Sequence, residues 1–492
     1  MIREIFMETH IQVKSPKTMA LILMLGAFIG LFGETALNMA LTNVMEDYSI
    51  SPGIAQWLTT GYLLTLAILV PVSALLMKWF TTRQLVVAGL GLSLIGAVLA
   101  ALSPSFVILL LGRIVQAMGT GILLPVMLSV VLLIFPIQKR GLVMGLVGLV
   151  ITAAPALGPT LSGLIISTLG WHYIFWFSAA FYVILMIIGT PKMDNVSEIT
   201  KPKIDFVSIL LSTIGFGGFI YALATMAEVS FSSPQVWLPF VVGIIALVLF
   251  CVRQITMDQP MINLGVFKYA MFSLGTLIMF LSILVILSTS ILLPMYLKSA
   301  LGFTALVAGL LLLPGNAVNF AMSPVVGSMF DKIGPRTFNV IGFICVLIAN
   351  IIFLTTISAS TAVWQIIAAF MILFFGLTMT TMPAQTNALN QLPRELYADG
   401  SAAMNTLNQV AGAAGTAIAI TLFTAGQSGF VMDVPNATEP EVLAAGVKFT
   451  FYFITGISVV GLICSLFVKN SAALIEAKQK SKIKVAEPVQ KM

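Results

Sequence analysis

The sequence predicts an all-α integral membrane protein, with fourteen transmembrane helices arranged as two six-helix bundles around an inserted helix pair. Three observations predict this. Of 492 residues, 59% are hydrophobic and only 9% are charged, whereas a soluble domain carries roughly 25% charge. The apolar residues fall into fourteen runs, each near the roughly 20 residues that cross a bilayer. Two polar stretches, 191–205 and 254–268, divide those runs into six, two and six. This composition excludes a soluble enzyme, a nucleic-acid-binding protein and a disordered chain.

The spans read as 18–44, 54–78, 84–103, 105–134, 141–167 and 172–190 in the first half, and 206–227 and 236–253 in the insertion. The second half gives 270–297, 303–330, 337–358, 362–386, 400–426 and 447–468. Each is expected to be a helix, because backbone groups in hydrocarbon must pair within their own segment. The alternation of a membrane barrel is absent. The first run has no A-x-A cleavage pattern and is too long for a signal peptide, so it reads as a retained span. The resulting units are an N-terminal segment 1–17, a bundle 18–190, a loop 191–205, the inserted pair 206–253, a loop 254–268, a second bundle 269–469 and a Lys-rich tail 470–492.

Orientation follows from the 24 Lys and Arg residues. With the N-terminus in the cytoplasm, nearly all of them fall inside. Only Lys298 and Lys448 lie outside, and Arg113 lies within a span. The positive-inside rule therefore places both termini in the cytoplasm of a multi-pass protein of the cell membrane. The formal charge of +6 reads as topology and as attraction of the tail to anionic lipid, not as affinity for nucleic acid. The odd set Cys251, Cys345 and Cys464 lies in apolar runs and forms no disulfide framework. Two histidines make no zinc motif. No Walker A loop or G-x-S-x-G elbow occurs. No metal, organic cofactor or nucleotide hydrolysis is expected.

Two ionisable residues sit deep within spans: Glu34 and Arg113. A charge at mid-span costs roughly 2.5–3.5 kcal/mol on insertion scales and so usually faces a polar cavity. The alternative is a buried pair that fixes helix packing, although such pairs seldom stabilise more than an apolar filling. Glu34 shares a helix face with Asn38 and Thr42, and Arg113 with Gln116 and Thr120. Two polar stripes in one bundle point to a common wet interior. A carboxyl can take up and release a proton while Arg keeps its charge, so Glu34 is the expected carrier of a coupled proton, with Arg113 as its electrostatic partner.

Span five carries Pro155, Gly158, Pro159 and Gly163 within nine residues. Prolines and glycines weaken a helix, but small residues let another helix approach closely. The run reads as a tight, bendable contact used in conformational switching, or as an ordinary kinked packing helix. Span thirteen has a similar small-residue face around Gly400 and Gly412. The loop after span ten, Asp331-Lys332-Ile333-Gly334-Pro335-Arg336, follows an apolar helix and ends on a base. So does the stretch from Lys78 to Arg83 after span two, which suggests an internal duplication.

Taken in order, these residues resemble the fourteen-helix drug:proton antiporters of the major facilitator superfamily, and most closely the Gram-positive multidrug exporters of the lincomycin-resistance type. Gln56-Trp57 to Tyr62 opens span two as in that family. Arg113 to Gly121 resembles its span-four proton-coupling motif. Pro155 to Gly163 resembles the span-five antiporter motif. Asp331 to Arg336 resembles the inner-loop gating motif. The usual first-span Asp is replaced by Glu34, one residue along from the aligned position at Gly33. Lys78 stands where the first-half gating motif has an acid. The resemblance implies export by alternating access, with H⁺ as the coupling ion, no cofactor, and a monomer as the working unit. Asp331, Lys332, Gly334 and Arg336 are its implied gate.

For substrate, the expected pocket is apolar and aromatic, with polar points at Asn38, Gln56, Trp57, Tyr62, Gln116, Asn316, Asn319 and Gln385. Met is adaptable and suits promiscuous sites, and the chain has 26. The expected cargo is an amphipathic hydrophobic or cationic drug-like compound. The same scaffold could serve a proton-coupled lipid or metabolite exporter. A non-transporting membrane enzyme or scaffold is the reading from another class.

Overall fold

The computed structural model describes residues 13–50, 52–197, 199–201, 205–226, 232–303 and 305–469. Those residues form helices and connections, with no strand among them. The first bundle comprises α1 (Pro16–Ala36), α2 (Leu41–Tyr48), α3 (Pro52–Trp79), α4 (Thr82–Ala101), α5 (Phe106–Ile134), α6 (Ile137–Thr168) and α7 (His172–Gly189). The inserted pair is α8 (Phe206–Met226) and α9 (Pro234–Thr256). The second bundle comprises α10 (Ala270–Met295), α11 (Ala305–Ile333), α12 (Pro335–Thr356), α13 (Val363–Asn390), α14 (Tyr397–Asp433) and α15 (Glu439–Leu466). Among the described residues, thirteen helices are each long and apolar enough to cross a membrane. With the 32-residue α6 this is the fourteen-span, all-α architecture expected from the sequence, and the chain is a multi-pass membrane protein.

The first span differs from the uninterrupted helix expected over 18–44. It breaks after Ala36 into a 3-10 turn, Leu37–Met39, and resumes as α2. Gly30 and Gly33 weaken the preceding turns. Thr35 Oγ1 bonds back to Phe32 O at 3.3 Å, a contact that bends helices. The matching span of the second half is also irregular at the corresponding end: α10 passes through Pro294 into a π segment, Tyr296–Ala300.

The duplication recurs in the contacts. Tyr48 OH donates to Ser103 O in the α4–α5 turn at 2.9 Å, and Tyr296 OH donates to Ser358 O in the α12–α13 turn. Gly119 of α5 backs onto Gly89 of α4, as Gly376 of α13 backs onto Gly342 of α12. Six residues before these glycines stand Arg113 in one half and Phe370 in the other. The repeat has thus kept its close helix contacts while the ionisable side chain is present in one copy only.

The halves meet through α6 against α11, α3 against α14, and α6 against α13. Gly145 and Gly327 let α6 and α11 touch backbone to backbone; a Cβ on Gly145 would stand 2.7 Å from Ser323 O. The inserted pair lies along this seam, since α8 packs on both α3 and α14.

Candidate functional site

The deep polar site is built in the first bundle where α1, α3 and α5 converge. Arg113 and Gln116 are one helical turn apart on α5, and both are fully buried. Arg113 Nη1 donates to Gln116 Oε1 at 2.7 Å. Its Nη1 also faces α1, 3.7 Å from where a Cβ on Gly33 would be. The turn bearing Glu34 thus packs directly against the guanidinium. Glu34 is half-buried and within electrostatic reach of Arg113. The two form no ion pair: the two ion pairs among the described residues are Lys78–Asp399 and Arg253–Asp205.

Tyr62 is entirely buried and joins three helices. Its hydroxyl donates to Gly30 O at 2.9 Å and meets Thr120 Oγ1 at 2.8 Å. Its ring lies under Arg113, with Cζ 4.2 Å from the centroid. Gly30 is required here, because a Cβ would run into the Thr120 side chain. Behind Arg113, the hydroxyl of Tyr182 on α7 reaches Ser93 of α4 and Gln116, while Arg113 Nε and Nη2 have no hydrogen-bond partner. Tyr182 and Ser93 escaped sequence reading because neither is charged and each stands alone in an apolar run.

Gly158 of the span-five motif seats the break in α1: a Cβ there would meet Thr35 Cβ at 3.1 Å and Ala36 N at 3.2 Å. Gly163 has open space around it. The side chains of Asn38, Gln56, Pro155, Pro159 and Asp331 lie outside the described residues. Trp57 faces the inserted pair, its ring 5.8 Å from that of Tyr221. Gln116 belongs to the arginine site. Asn319 and Gln385 are buried in the second bundle, and Asn316 is half-buried. Lys332 and Arg336 are exposed, and Gly334 adopts the left-handed φ of 93° that turns α11 into α12.

The polar links between the halves lie elsewhere among the described residues. Lys78 Nζ at the end of α3 bonds Asp399 Oδ1 in the first turn of α14 at 2.8 Å. The same oxygen accepts the backbone N–H of Asn263, from the loop after α9, at 2.9 Å. The loop before α8 ties in as well, with Thr200 N and Lys201 N on Lys78 O, each at 3.1 Å. Arg140, at the start of α6, donates to Asn390 Oδ1 at 3.0 Å and to Tyr397 OH at 2.9 Å, and also caps the end of α5 through Leu132 O and Phe135 O. In the sequence Lys78 stands where the gating motif has an acid, and Arg140 was not singled out; Asp399, immediately before span thirteen, was the available signal. These links lie at the end of the bundle where the basic residues gather.

The profile of the Major Facilitator Superfamily matches residues 23–416. The chain belongs to the major facilitator superfamily. It is 51% identical to the lincomycin resistance protein LmrB of Listeria monocytogenes over 452 residues, 91% of this chain and 96% of that one. It is also 51% identical to the lincomycin resistance protein LmrB of Bacillus subtilis over 454 residues, 91% and 95% of the two chains. Among solved structures, the human organic anion transporter MFSD10 superimposes with a TM-score of 0.66 at 12% identity, over 92% of this chain and 99% of that one. As a member of this superfamily the chain is a transporter.

Proposed function

We propose that this protein is a proton-coupled multidrug exporter of the cell membrane, taking amphipathic hydrophobic or cationic compounds out in exchange for H⁺. The observation that carries the reading is Glu34, the one acid deep in a span, set beside the buried Arg113 but not paired with it. An unpaired carboxyl can hold a proton or release it as the site changes sides, while Arg113 keeps its charge throughout. The curated relatives named for lincomycin resistance support drug as the cargo.

The basic end, closed by Lys78–Asp399 and Arg140, is the cytoplasmic one in this reading, and both termini lie there. Closure at that end corresponds to the state in which cargo leaves and a proton enters from outside. The gate implied by Asp331, Lys332, Gly334 and Arg336 is supplemented by these links between the halves. Substrate contacts are assigned to Asn38, Gln56, Trp57, Asn316, Asn319 and Gln385, and no metal or organic cofactor takes part. The protein acts as a monomer within the lipid bilayer.

The test is proton release by purified protein on adding lincomycin, wild type against Glu34→Gln. Wild type should release protons on adding drug, and the variant should bind drug without release. Exchange at the wild-type rate in Glu34→Gln would remove Glu34 from the mechanism.

A further inference from the structure

Arg113 is a permanent charge in a membrane interior, with one hydrogen bond to Gln116 and its Nε and Nη2 bare. When Glu34 is ionised, its carboxylate compensates that charge through space. When Glu34 takes up a proton, the compensation disappears, and a buried charge without a partner is strongly unfavourable. A site that cycles between these states needs a second group that holds the guanidinium once the carboxylate has been neutralised. The structure supplies it on α3: the ring of Tyr62, 4.2 Å beneath Arg113 Cζ.

We propose that Tyr62 is the positioning residue of the proton site, its ring face holding the Arg113 guanidinium while Glu34 is neutral. The inference rests on the proton-coupled reading above. A ring face attracts a cation most strongly when the pair is desolvated, and both residues are fully buried. The ring is held by packing, fully buried against Leu66 and Ala117, and its hydroxyl in addition bonds Gly30 O on α1 and Thr120 on α5. Those bonds also tie the ring to the helix that carries Glu34. The titratable and charged groups facing Arg113 are Glu34 from α1, Tyr62 from α3 and Tyr182 from α7. Of these, Glu34 is the proton carrier in the reading above, since a tyrosine hydroxyl ordinarily keeps its proton to about pH 10. No covalent step is involved: one proton passes from water to the Glu34 carboxylate and back.

The proposal separates ring from hydroxyl. Tyr62→Phe keeps the ring; Tyr62→Leu removes it. The readout is infrared titration of purified protein, following the carboxylic acid band that disappears in Glu34→Gln. Tyr62→Phe should titrate like wild type, and Tyr62→Leu, which loses what stabilises the neutral-carboxyl state, should lower the midpoint by about one pH unit, roughly a tenfold weaker proton affinity. Should Tyr62→Leu fail to fold, phenylalanine at position 62 with successive ring fluorines keeps the size and drains the ring face of charge. The midpoint should then move stepwise with each fluorine. A midpoint indifferent to ring loss and to fluorination, or one moved as far by Tyr62→Phe, overturns the assignment. If no band disappears in Glu34→Gln, the proton reading itself fails and takes this inference with it.

Discussion

Lys78 on α3 and Asp399 on α14 stand 321 positions apart in the chain and form a 2.8 Å ion pair across the two halves. Asp399 is almost completely buried there and Lys78 is one-fifth exposed. Removing one partner leaves the other poorly solvated, at a cost of roughly 1.5–3 kcal/mol for a hydrogen bond to a charged group. Asp399→Asn should therefore shift the population toward the state open at the basic end by about ten- to a hundredfold. Spin-label distances between the adjoining ends of α3 and α14 report this directly. The exchanged pair, Lys78→Asp with Asp399→Lys, should restore closure only in part, because a lysine at 399 cannot accept the Asn263 N–H. An unchanged distance distribution in Asp399→Asn would show that the pair is not a latch.

The span-five motif contains two glycines with opposite prospects. Gly158→Ala forces a methyl against Thr35 and the backbone of Ala36, and overpacking of this kind costs roughly 1–3 kcal/mol. Gly163 has nothing within 4 Å, so Gly163→Ala gains the helix preference of alanine, about 1 kcal/mol. Thermal unfolding of the purified variants should show a fall for the first and no loss for the second. Equal losses would mean that Gly158 does not seat the break in α1.

The inserted pair is fastened by Asp205 and Arg253, with Nε–Oδ2 at 2.6 Å and Nη2–Oδ1 at 3.0 Å. Hydrogen bonds from Arg253 hold the Asp205 carboxyl down at about 2, against burial that pushes it up. A carboxyl with a lowered folded value stabilises the protein above its unfolded value, about 3.9, and that stabilisation is lost as pH falls toward 2. Asp205→Asn should therefore lower the unfolding temperature at pH 7 and make no difference near pH 2. Between pH 5 and 8 the pair stays ionised, so the variant should leave the pH dependence of transport unchanged. A transport profile that moves with Asp205→Asn would contradict this.

The membrane crossings were legible because their cause is local: a run of apolar residues must satisfy its own backbone. Glu34 and Arg113 were legible for the same reason, as charges where charges are costly. The break at Leu37–Met39 was not, since no Pro or Gly marks those three positions, and the residue that packs against it, Gly158, comes from another helix. Tyr62 and Gln116 carry no charge to distinguish packing around Arg113 from a pocket wall. The links made by Lys78 and Arg140 were not legible because their partners, Asp399, Asn390 and Tyr397, lie in the other half of the chain. Sequence pattern specifies which residues share a helix face, but not which face of which half meets it across the seam.

That seam is tightest where α6 meets α11. Gly145 and Gly327 allow the two backbones to touch; a Cβ on Gly327 would stand 2.6 Å from Gly141 O and 2.9 Å from Met382 Cε. The Met382 side chain, in the same half, can swing aside, but the α6 backbone at Gly141 O, and at Gly145 Cα 2.9 Å away, cannot yield without moving a helix. Gly327→Ala, and more severely Gly327→Leu, should hold the halves apart at the basic end while leaving each bundle folded, since the obstacles that cannot yield belong to the opposite half. The expected result is a protein with near-normal unfolding temperature in which cysteines placed on facing turns of α6 and α11 no longer cross-link. Transport should fall by at least about tenfold, because 1.4 kcal/mol against closure already makes that difference. Retained cross-linking in Gly327→Leu would mean that the seam re-forms by another route and that close backbone contact is dispensable.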